Sequence, residues 1–172
     1  SRESKPFAVM FGSIIHARSF VRIGEAEIKM LESWRRPIVL LPTIRELAPS
    51  VNNGFSSTGT MLPSLPIHYL LFEQLDIPAI VLTSGNISDE PIVIDDQVAI
   101  DTFSEHADAV LTSNRPIHNR CDDSVEMPFR GESLLIRRAR GYAPASLRLN
   151  FGVEGIFAAG AELVNCFAIG RE

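Results

Sequence analysis

The chain has 172 residues, of which 45% are hydrophobic, and a formal net charge of −5. This length fits one domain or slightly more, and the hydrophobic content excludes disorder as the default state. The negative charge disfavours a broadly basic nucleic-acid binder, although it is compatible with a local basic patch. No membrane span or signal peptide is visible, and the two cysteines form no CxxC pair. A reducing cytoplasm is therefore the simplest location.

Strand-like and helix-like segments alternate along the chain. Strands are predicted at 6–11, 37–41, 79–82, 109–112, 124–129 and 133–138, and helices at 25–34, 65–75 and 95–106. A polar, glycine-bearing loop is predicted at 51–60, and the last two strands flank Gly131 as a β-hairpin. The alternation predicts an α/β fold whose sheet is mixed rather than purely parallel.

The tail follows a different pattern. Residues 142–145 interrupt the alternation and could be a linker, and 156–169 is predicted to form a strand, a glycine turn and a second strand. A two-stranded hairpin is marginal alone, so we expect it to begin another domain. The chain starts without Met and ends in mid-pattern, and we expect a piece of a longer protein.

The most informative stretch is 83–91, which directly follows the apolar run 78–82. It begins with Thr83, Ser84, Gly85 and Asn86. Small polar side chains and backbone N–H groups at the end of a buried strand suit a phosphate or adenylate ligand. The alternative is a strand-to-helix turn with Ser88 or Asp89 as a helix cap.

Basic residues cluster near the end of the main pattern, at Arg137, Arg138 and Arg140. If this segment is a strand, Arg138 and Arg140 share one side while Arg137 points away. A guanidinium can donate two hydrogen bonds to a phosphate at once, but the cluster could also be a solvated edge strand. The nearby Asp122 and Asp123 could hold Mg²⁺ or pair with these arginines.

Several kinds of site are disfavoured. The four histidines are far apart and have no metal-ligand spacing. A GxSxG elbow, a Walker A motif and a GxGxxG motif are all absent, which disfavours nucleophilic serine catalysis and the common nucleotide loops. His68, at a helix start, is either a ligand contact or a partly buried structural residue.

A series of short motifs resembles the hydrogenase maturation carbamoyltransferases, the HypF family. They are KPFAVM at 5–10, MLP at 61–63, PIH at 66–68, TSGN at 83–86, DEP at 89–91, RPI at 115–117, RCDDSV at 120–125, RRARGYAP at 137–144 and GAELVN at 160–165. Residues 1–147 resemble most of the family's YrdC-like, adenylate-forming domain without its first strands. Residues 148–172 resemble the opening hairpin of its actin-like carbamoyl-transfer domain. The implied fold is an open, twisted mixed sheet with helices, followed by that hairpin.

The resemblance implies a carbamoyltransferase. Such enzymes join a carbamoyl unit derived from carbamoyl phosphate to AMP from ATP, with Mg²⁺, and release pyrophosphate. They then pass the carbamoyl group to the C-terminal cysteine of the partner HypE, where it becomes a cyanide ligand of NiFe-hydrogenase. The zinc of these enzymes belongs to regions outside this sequence. The alternatives are a YrdC-type double-stranded RNA-binding module and a threonylcarbamoyl-AMP synthase, but the fused tail favours the hydrogenase enzyme.

The resemblance also implies the binding residues. Ser84 and Asn86 match a Ser-x-Asn pair that holds the adenylate, and Ser124 matches a hydroxyl near the phosphates. Arg2 matches the arginine of a Lys-x-Arg phosphate motif whose lysine would precede Ser1. No residue is assigned a catalytic or metal-binding role. The predicted substrate- and nucleotide-binding residues are Arg2, His68, Thr83, Ser84, Asn86, Ser124, Arg138 and Arg140.

Overall fold

The computed structural model describes residues 6–52, 54–87, 90–160 and 167–171. The chain falls into two compact units. The first comprises Ser1–Thr83 and Asp123–Ala143, and the second comprises Ser84–Asp122 and Pro144–Glu172. The predicted site residue Arg2 lies outside the described residues.

The strands and helices alternate much as the sequence predicts. The strands are β1 (Ala8–Phe11), β2 (Ile38–Pro42), β3 (Ser57–Met61), β4 (Ala79–Val81), β5 (Val125–Phe129), β6 (Glu132–Arg137), β7 (Phe157–Ala159) and β8 (Phe167–Ile169). The helices are α1 (Ile14–Arg18), α2 (Glu25–Glu32), α3 (Pro49–Asn52), α4 (Pro66–Gln74) and α5 (Asp96–Phe103). The short helices α1 and α3 have no counterpart in the sequence prediction.

The first unit is built on a six-stranded sheet with the order β4-β1-β3-β2-β5-β6. The pairs β1–β3 and β2–β5 are parallel, and the other three neighbouring pairs are antiparallel. The prediction of an α/β fold with a mixed sheet is therefore confirmed. The core combines apolar side chains of the sheet with residues of α1 and α2, including Val9, Phe11, Val39, Leu41, Ala17 and Leu31.

The loop predicted at 51–60 is wrong in its second half, because β3 runs through it at the centre of the sheet. Thr58 is fully buried, and its hydroxyl bonds to Thr43 Oγ1 at 2.8 Å and to Asn52 Oδ1 at 3.1 Å. Gly59 lets the neighbouring strands approach, since a Cβ there would lie 3.2 Å from Ile38 Cγ2. A polar strand is buried here because its hydroxyls have partners.

The strand predicted at 109–112 is also wrong. These residues are irregular, and Leu111 is 80% exposed. Three apolar residues followed by a threonine indicate a strand only if a neighbouring strand pairs with them, and none of the described strands does so. The helices predicted at 25–34, 65–75 and 95–106 are confirmed as α2, α4 and α5.

Both predicted hairpins are present. The β5–β6 pair turns at Arg130 and Gly131, whose φ angles of 52° and 83° are the positive values that a type I′ turn needs. In the second unit β7 and β8 pair antiparallel, with the Phe157 and Phe167 rings 5.9 Å apart. The turn between them lies outside the described residues. That this hairpin begins another domain stays a prediction, as does the boundary at 147. None of the described helices has the length and apolar character needed to cross a membrane.

Candidate functional site

The arginine-bearing segment 138–143 is a turn and not a strand. β6 ends at Arg137, so the expectation that strand alternation places Arg138 and Arg140 on one side is wrong. The amides of Tyr142 and Ala143 both donate to the Ala139 carbonyl. The buried Ser124 hydroxyl, just before β5, accepts from Ala139 N at 2.8 Å and donates to Arg140 O at 2.9 Å. A serine hydroxyl therefore fastens this turn to the sheet.

Arg140 points back into the first unit. Its guanidinium donates to Asp123 Oδ1 from Nε at 3.0 Å and from Nη2 at 2.5 Å. It also donates to the Arg36 carbonyl at 3.2 Å and to the Arg35 carbonyl at 3.5 Å. The sequence left open whether Asp122 and Asp123 bind Mg²⁺ or pair with the arginines. The structure shows Asp123 paired with Arg140.

Arg35 holds the next residues of the same turn. Its Nε donates to the Gly141 carbonyl at 3.2 Å, and its guanidinium lies 4.6 Å from the centre of the Tyr142 ring. Gly141 has φ +84°, and a Cβ there would lie 2.9–3.1 Å from Arg35 atoms that include its Cα. Only glycine suits both the backbone conformation and this close approach.

Tyr142 is anchored to the sheet through a buried carboxylate. Its hydroxyl donates to Glu126, which is 2% exposed and also accepts from Ser133 Oγ at 2.5 Å. Burial, and then the Glu126 carboxylate, raise the pKa of Tyr142 to about 12. The phenol therefore stays protonated and acts as a donor.

His68 occupies the third position of α4. Its Nδ1 accepts from the backbone N–H of Ser64 at 3.2 Å and of Leu65 at 3.4 Å, so the ring caps the helix start and the proton of the neutral ring lies on Nε2. Burial, and then the positive charge of Arg140, lower the pKa of His68, while Asp123 opposes them. The neutral imidazole is thus favoured.

The loop after β4 is organised in the second unit by Asn86. Its Oδ1 accepts from Ser84 Oγ at 2.5 Å, and its Nδ2 donates to the carbonyls of Ile87 at 2.9 Å and Glu90 at 3.0 Å. Val93 N donates to Gly85 O at 2.9 Å and closes the loop at its base. The Asn86 amide shapes a loop on which the Ser84 side chain is exposed.

Comparison with known families decides the relationship. The Sua5/YciO/YrdC family, described as telomere recombination, matches residues 1–139. The chain belongs to this family. The YrdC-like fold expected from the sequence is confirmed.

Within this family the chain is similar to carbamoyltransferases. It is 39% identical over 179 aligned residues to Carbamoyltransferase HypF of Rhizobium leguminosarum bv. viciae, covering 99% of this chain and 24% of that protein. A full-length HypF crystal structure in the phosphate- and nucleotide-bound form matches 98% of this chain and 27% of its own, with 40% identity and a TM-score of 0.86. The T. kodakarensis HypF structure matches 99% of this chain and 22% of its own, with 37% identity and a TM-score of 0.89. The chain spans about a quarter of the length of these relatives, and the resemblance to HypF is confirmed.

The predicted binding residues of this YrdC-like chain divide between the two units. Thr83, His68, Ser124, Arg138 and Arg140 belong to the first unit, and Ser84 and Asn86 belong to the second. The charge of Arg140 lowers the pKa of His68, and Ser124 bonds directly to the turn that carries the two arginines. The binding roles of all these residues stay predictions.

A metal site is not apparent among the described residues, where no three His, Cys, Asp or Glu side chains are placed to hold an ion. The Asp123 side chain has an arginine partner. These residues do not fit a Mg²⁺ site held by protein ligands alone.

Sequence reasoning missed four residues that build the site of this YrdC-like chain, namely Arg35, Arg36, Glu126 and Tyr142. Arg35 and Arg36 follow α2, about 100 residues from their partners, so no local pattern links them. Glu126 lies in a strand next to a register shift between Val125 and Glu126, which simple alternation does not anticipate. Tyr142 falls in the segment 142–145, which by sequence could be a linker, yet it packs within the first unit.

Proposed function

We propose that this chain is the adenylate-forming part of a HypF-type carbamoyltransferase. Carbamoyl phosphate is hydrolysed to carbamate and inorganic phosphate, and a carbamate oxygen then displaces pyrophosphate from the α-phosphorus of ATP, which gives carbamoyl-adenylate. The observation that carries this proposal is the match over nearly the whole chain to a HypF structure described as phosphate- and nucleotide-bound. The curated relatives named carbamoyltransferase support the class of reaction.

The residues of the site suit such a reaction. Adenylation is an in-line attack of a carbamate oxygen on the α-phosphorus, and the carbamate is already anionic, so no general base is required. The protein has to position the reactants and neutralise charge. In the second unit this task suits the Ser84 hydroxyl on the loop shaped by Asn86. In the first unit it suits the His68 imidazole at a helix start and the turn that carries Arg138.

ATP enters this proposal as a substrate with Mg²⁺ on its phosphates. Because the described residues do not fit a metal site of protein ligands alone, we assign no residue to the ion. When bound, Mg²⁺ would neutralise phosphate charge.

The acceptor is also a proposal. In the HypF family the carbamoyl group passes to the C-terminal cysteine of HypE and becomes the cyanide ligand of NiFe-hydrogenase, and we propose the same destination here. The chain spans about a quarter of the length of its relatives. It supports the adenylation step, and the transfer to HypE rests on the family alone.

The hydrogen bonds of the arginines weigh against a double-stranded RNA-binding role. Arg137 donates to the Asp123 carbonyl at 2.7 Å, Arg120 to the Ile92 carbonyl at 2.7 Å, and Arg140 is paired with Asp123. Phosphate binding by these side chains would compete with those bonds. The formal charge of −5 weighs in the same direction.

The test is ATP–pyrophosphate exchange by the product of the complete gene. We expect exchange that requires both carbamoyl phosphate and Mg²⁺. Exchange that instead requires threonine and bicarbonate would assign the chain to threonylcarbamoyl-AMP synthesis. Absence of exchange, together with salt-sensitive binding of double-stranded RNA, would favour the RNA-binding module.

A further inference from the structure

Arg140 resembles a ligand-binding arginine by its position in the sequence, but its bonds indicate a different task. A guanidinium has five N–H groups. Four of them are directed at partners in the described part of the chain: two at Asp123 Oδ1, one at Arg36 O and one at Arg35 O. A phosphate would have to displace these partners or share the one N–H group that remains.

The partners of Arg140 belong to a connected set of contacts. Asp123 and Ser124 precede β5, and Arg35 and Arg36 follow α2, so the set joins two distant parts of the chain to the turn 138–143. We call Arg35, Asp123, Ser124, Arg140 and Gly141 the clasp. Within it, Ser124 bonds to both Ala139 and Arg140, and Arg35 bonds to Gly141.

Strained backbone lies beside the clasp, at Arg36. Arg36 has φ 46°, a left-handed conformation that is unfavourable for an L-residue. In this conformation its carbonyl accepts from Arg140, and its own side chain donates to the Leu31 carbonyl at 3.4 Å. Such a conformation persists only where the surrounding contacts hold it.

The side chain that the clasp positions is that of Arg138. Arg138 Nη2 donates to the Tyr142 carbonyl at 2.8 Å, within the turn whose two ends Ser124 and Arg35 fasten. We propose that Arg140 and Asp123 are positioning residues, which fix the turn and thereby the Arg138 guanidinium for the nucleotide, and that Arg140 is not itself a phosphate ligand. This inference rests on the proposed function.

The two possible roles of Arg140 predict opposite effects of Asp123→Asn. If Arg140 binds phosphate, Asp123 competes with the ligand, and weakening their pair should leave the KM for ATP unchanged or lower it. If Arg140 positions the turn, weakening the pair loosens the turn and should raise that KM. A single substitution thus separates the roles by the sign of its effect.

The experiment uses the product of the complete gene and measures carbamoyl phosphate-dependent ATP–pyrophosphate exchange for wild type, Asp123→Asn, Arg140→Gln and the double variant. We expect Asp123→Asn to raise the KM for ATP at least about fivefold, as for the loss of a bond to a charged group. We expect kcat to stay within about twofold, since no transition-state contact is removed. The double variant should be within about twofold of Arg140→Gln, because the two residues act as one unit.

Amide hydrogen exchange provides a readout of the turn itself. Both single variants should speed exchange at Ala139, whose N–H donates to Ser124, and at Tyr142, whose N–H donates to Ala139. Arg130→Asn is the control. It also removes one arginine, from the tip of the β5–β6 hairpin, and asparagine tolerates the positive φ there. It should leave both readouts unchanged.

Three results would overturn the inference. They are an unchanged or lowered KM in Asp123→Asn, additive effects in the double variant, and unchanged amide exchange at the turn. A wild-type protein that shows no carbamoyl phosphate-dependent exchange would instead overturn the proposed function. The same variants compared by calorimetric ATP affinity would then still decide the inference, and a protein that binds no ATP would overturn both.

Discussion

Replacing Gly141 by alanine should destabilise the first unit strongly, because this glycine meets two separate requirements. Its φ of +84° is unfavourable for any L-residue. A Cβ would also lie 2.9 Å from Arg35 Cβ and 3.0 Å from Arg35 Cα. Because Cα is a backbone atom, a change of the Arg35 rotamer cannot relieve this contact. Relief requires the turn to move from Arg35.

The expected cost can be built from these two parts. The backbone conformation costs about 1–2 kcal/mol. Movement of the turn weakens the 3.2 Å bond from Arg35 to the Gly141 carbonyl and the stacking of Arg35 on Tyr142, which together contribute about 1–2 kcal/mol for partly exposed groups. The free energy of unfolding should fall by about 3 kcal/mol, a decrease in Tm of about 6–12 °C.

Urea and thermal denaturation followed by circular dichroism would measure this change. Gly131→Ala is the matched control, since Gly131 has φ +83° but no neighbouring atom within 4 Å of the Cβ position. It should show the conformational cost alone, about 1–2 kcal/mol. Equal destabilisation by the two substitutions would refute the assigned role of the Arg35 contact.

Three further changes test other parts of the structure. Thr58→Val should cost about 1–3 kcal/mol of unfolding free energy, because it leaves the buried side-chain oxygen Oδ1 of Asn52 without the Thr58 donor. Thr60→Val removes a buried hydroxyl of the same strand that lies 3.3 Å from its acceptor, and it should cost less unfolding free energy in the same urea titration. A larger cost for Thr60→Val than for Thr58→Val would contradict the assigned hydrogen-bond network. Asn86→Ala should open the loop and cut carbamoyl-dependent exchange at least about tenfold, and exchange within about twofold of wild type would remove Asn86 from the site. Because the folded pKa of His68 lies below its ordinary value of 6.5, the unfolded chain binds more protons, and stability should fall as the pH drops through 6.5 towards the folded pKa. His68→Gln keeps an acceptor for the helix start and should reduce that loss, so denaturation curves with the same pH dependence as wild type would contradict this assignment.

The strands and helices with clear apolar periodicity could be predicted from the sequence. The strand β3 could not, because its polar residues Thr58 and Thr60 resemble a loop until their partners are known. The opposite error occurred at 109–112, where apolar residues do not pair with a described strand. Local pattern reports propensity, whereas burial depends on contacts that are distant in sequence.

The site was predictable as a set of motifs, but its geometry was not. The resemblance indicates Ser84, Asn86 and Ser124, and each of them makes specific hydrogen bonds in its own unit. The bond between Arg140 and the Arg36 carbonyl spans 104 positions, so no spacing rule could predict it. Such contacts decide whether an arginine faces a ligand or the protein.

The proposed reaction is tested most directly by identifying its product. The product of the complete gene would be incubated with ATP, Mg²⁺ and ¹³C-labelled carbamoyl phosphate, and the nucleotides would be separated and analysed by mass spectrometry and ¹³C NMR. We expect a labelled carbamoyl-adenylate, formed without threonine and in step with pyrophosphate release. Its absence, or a threonylcarbamoyl-adenylate formed only when threonine and bicarbonate are supplied, would contradict the proposed function.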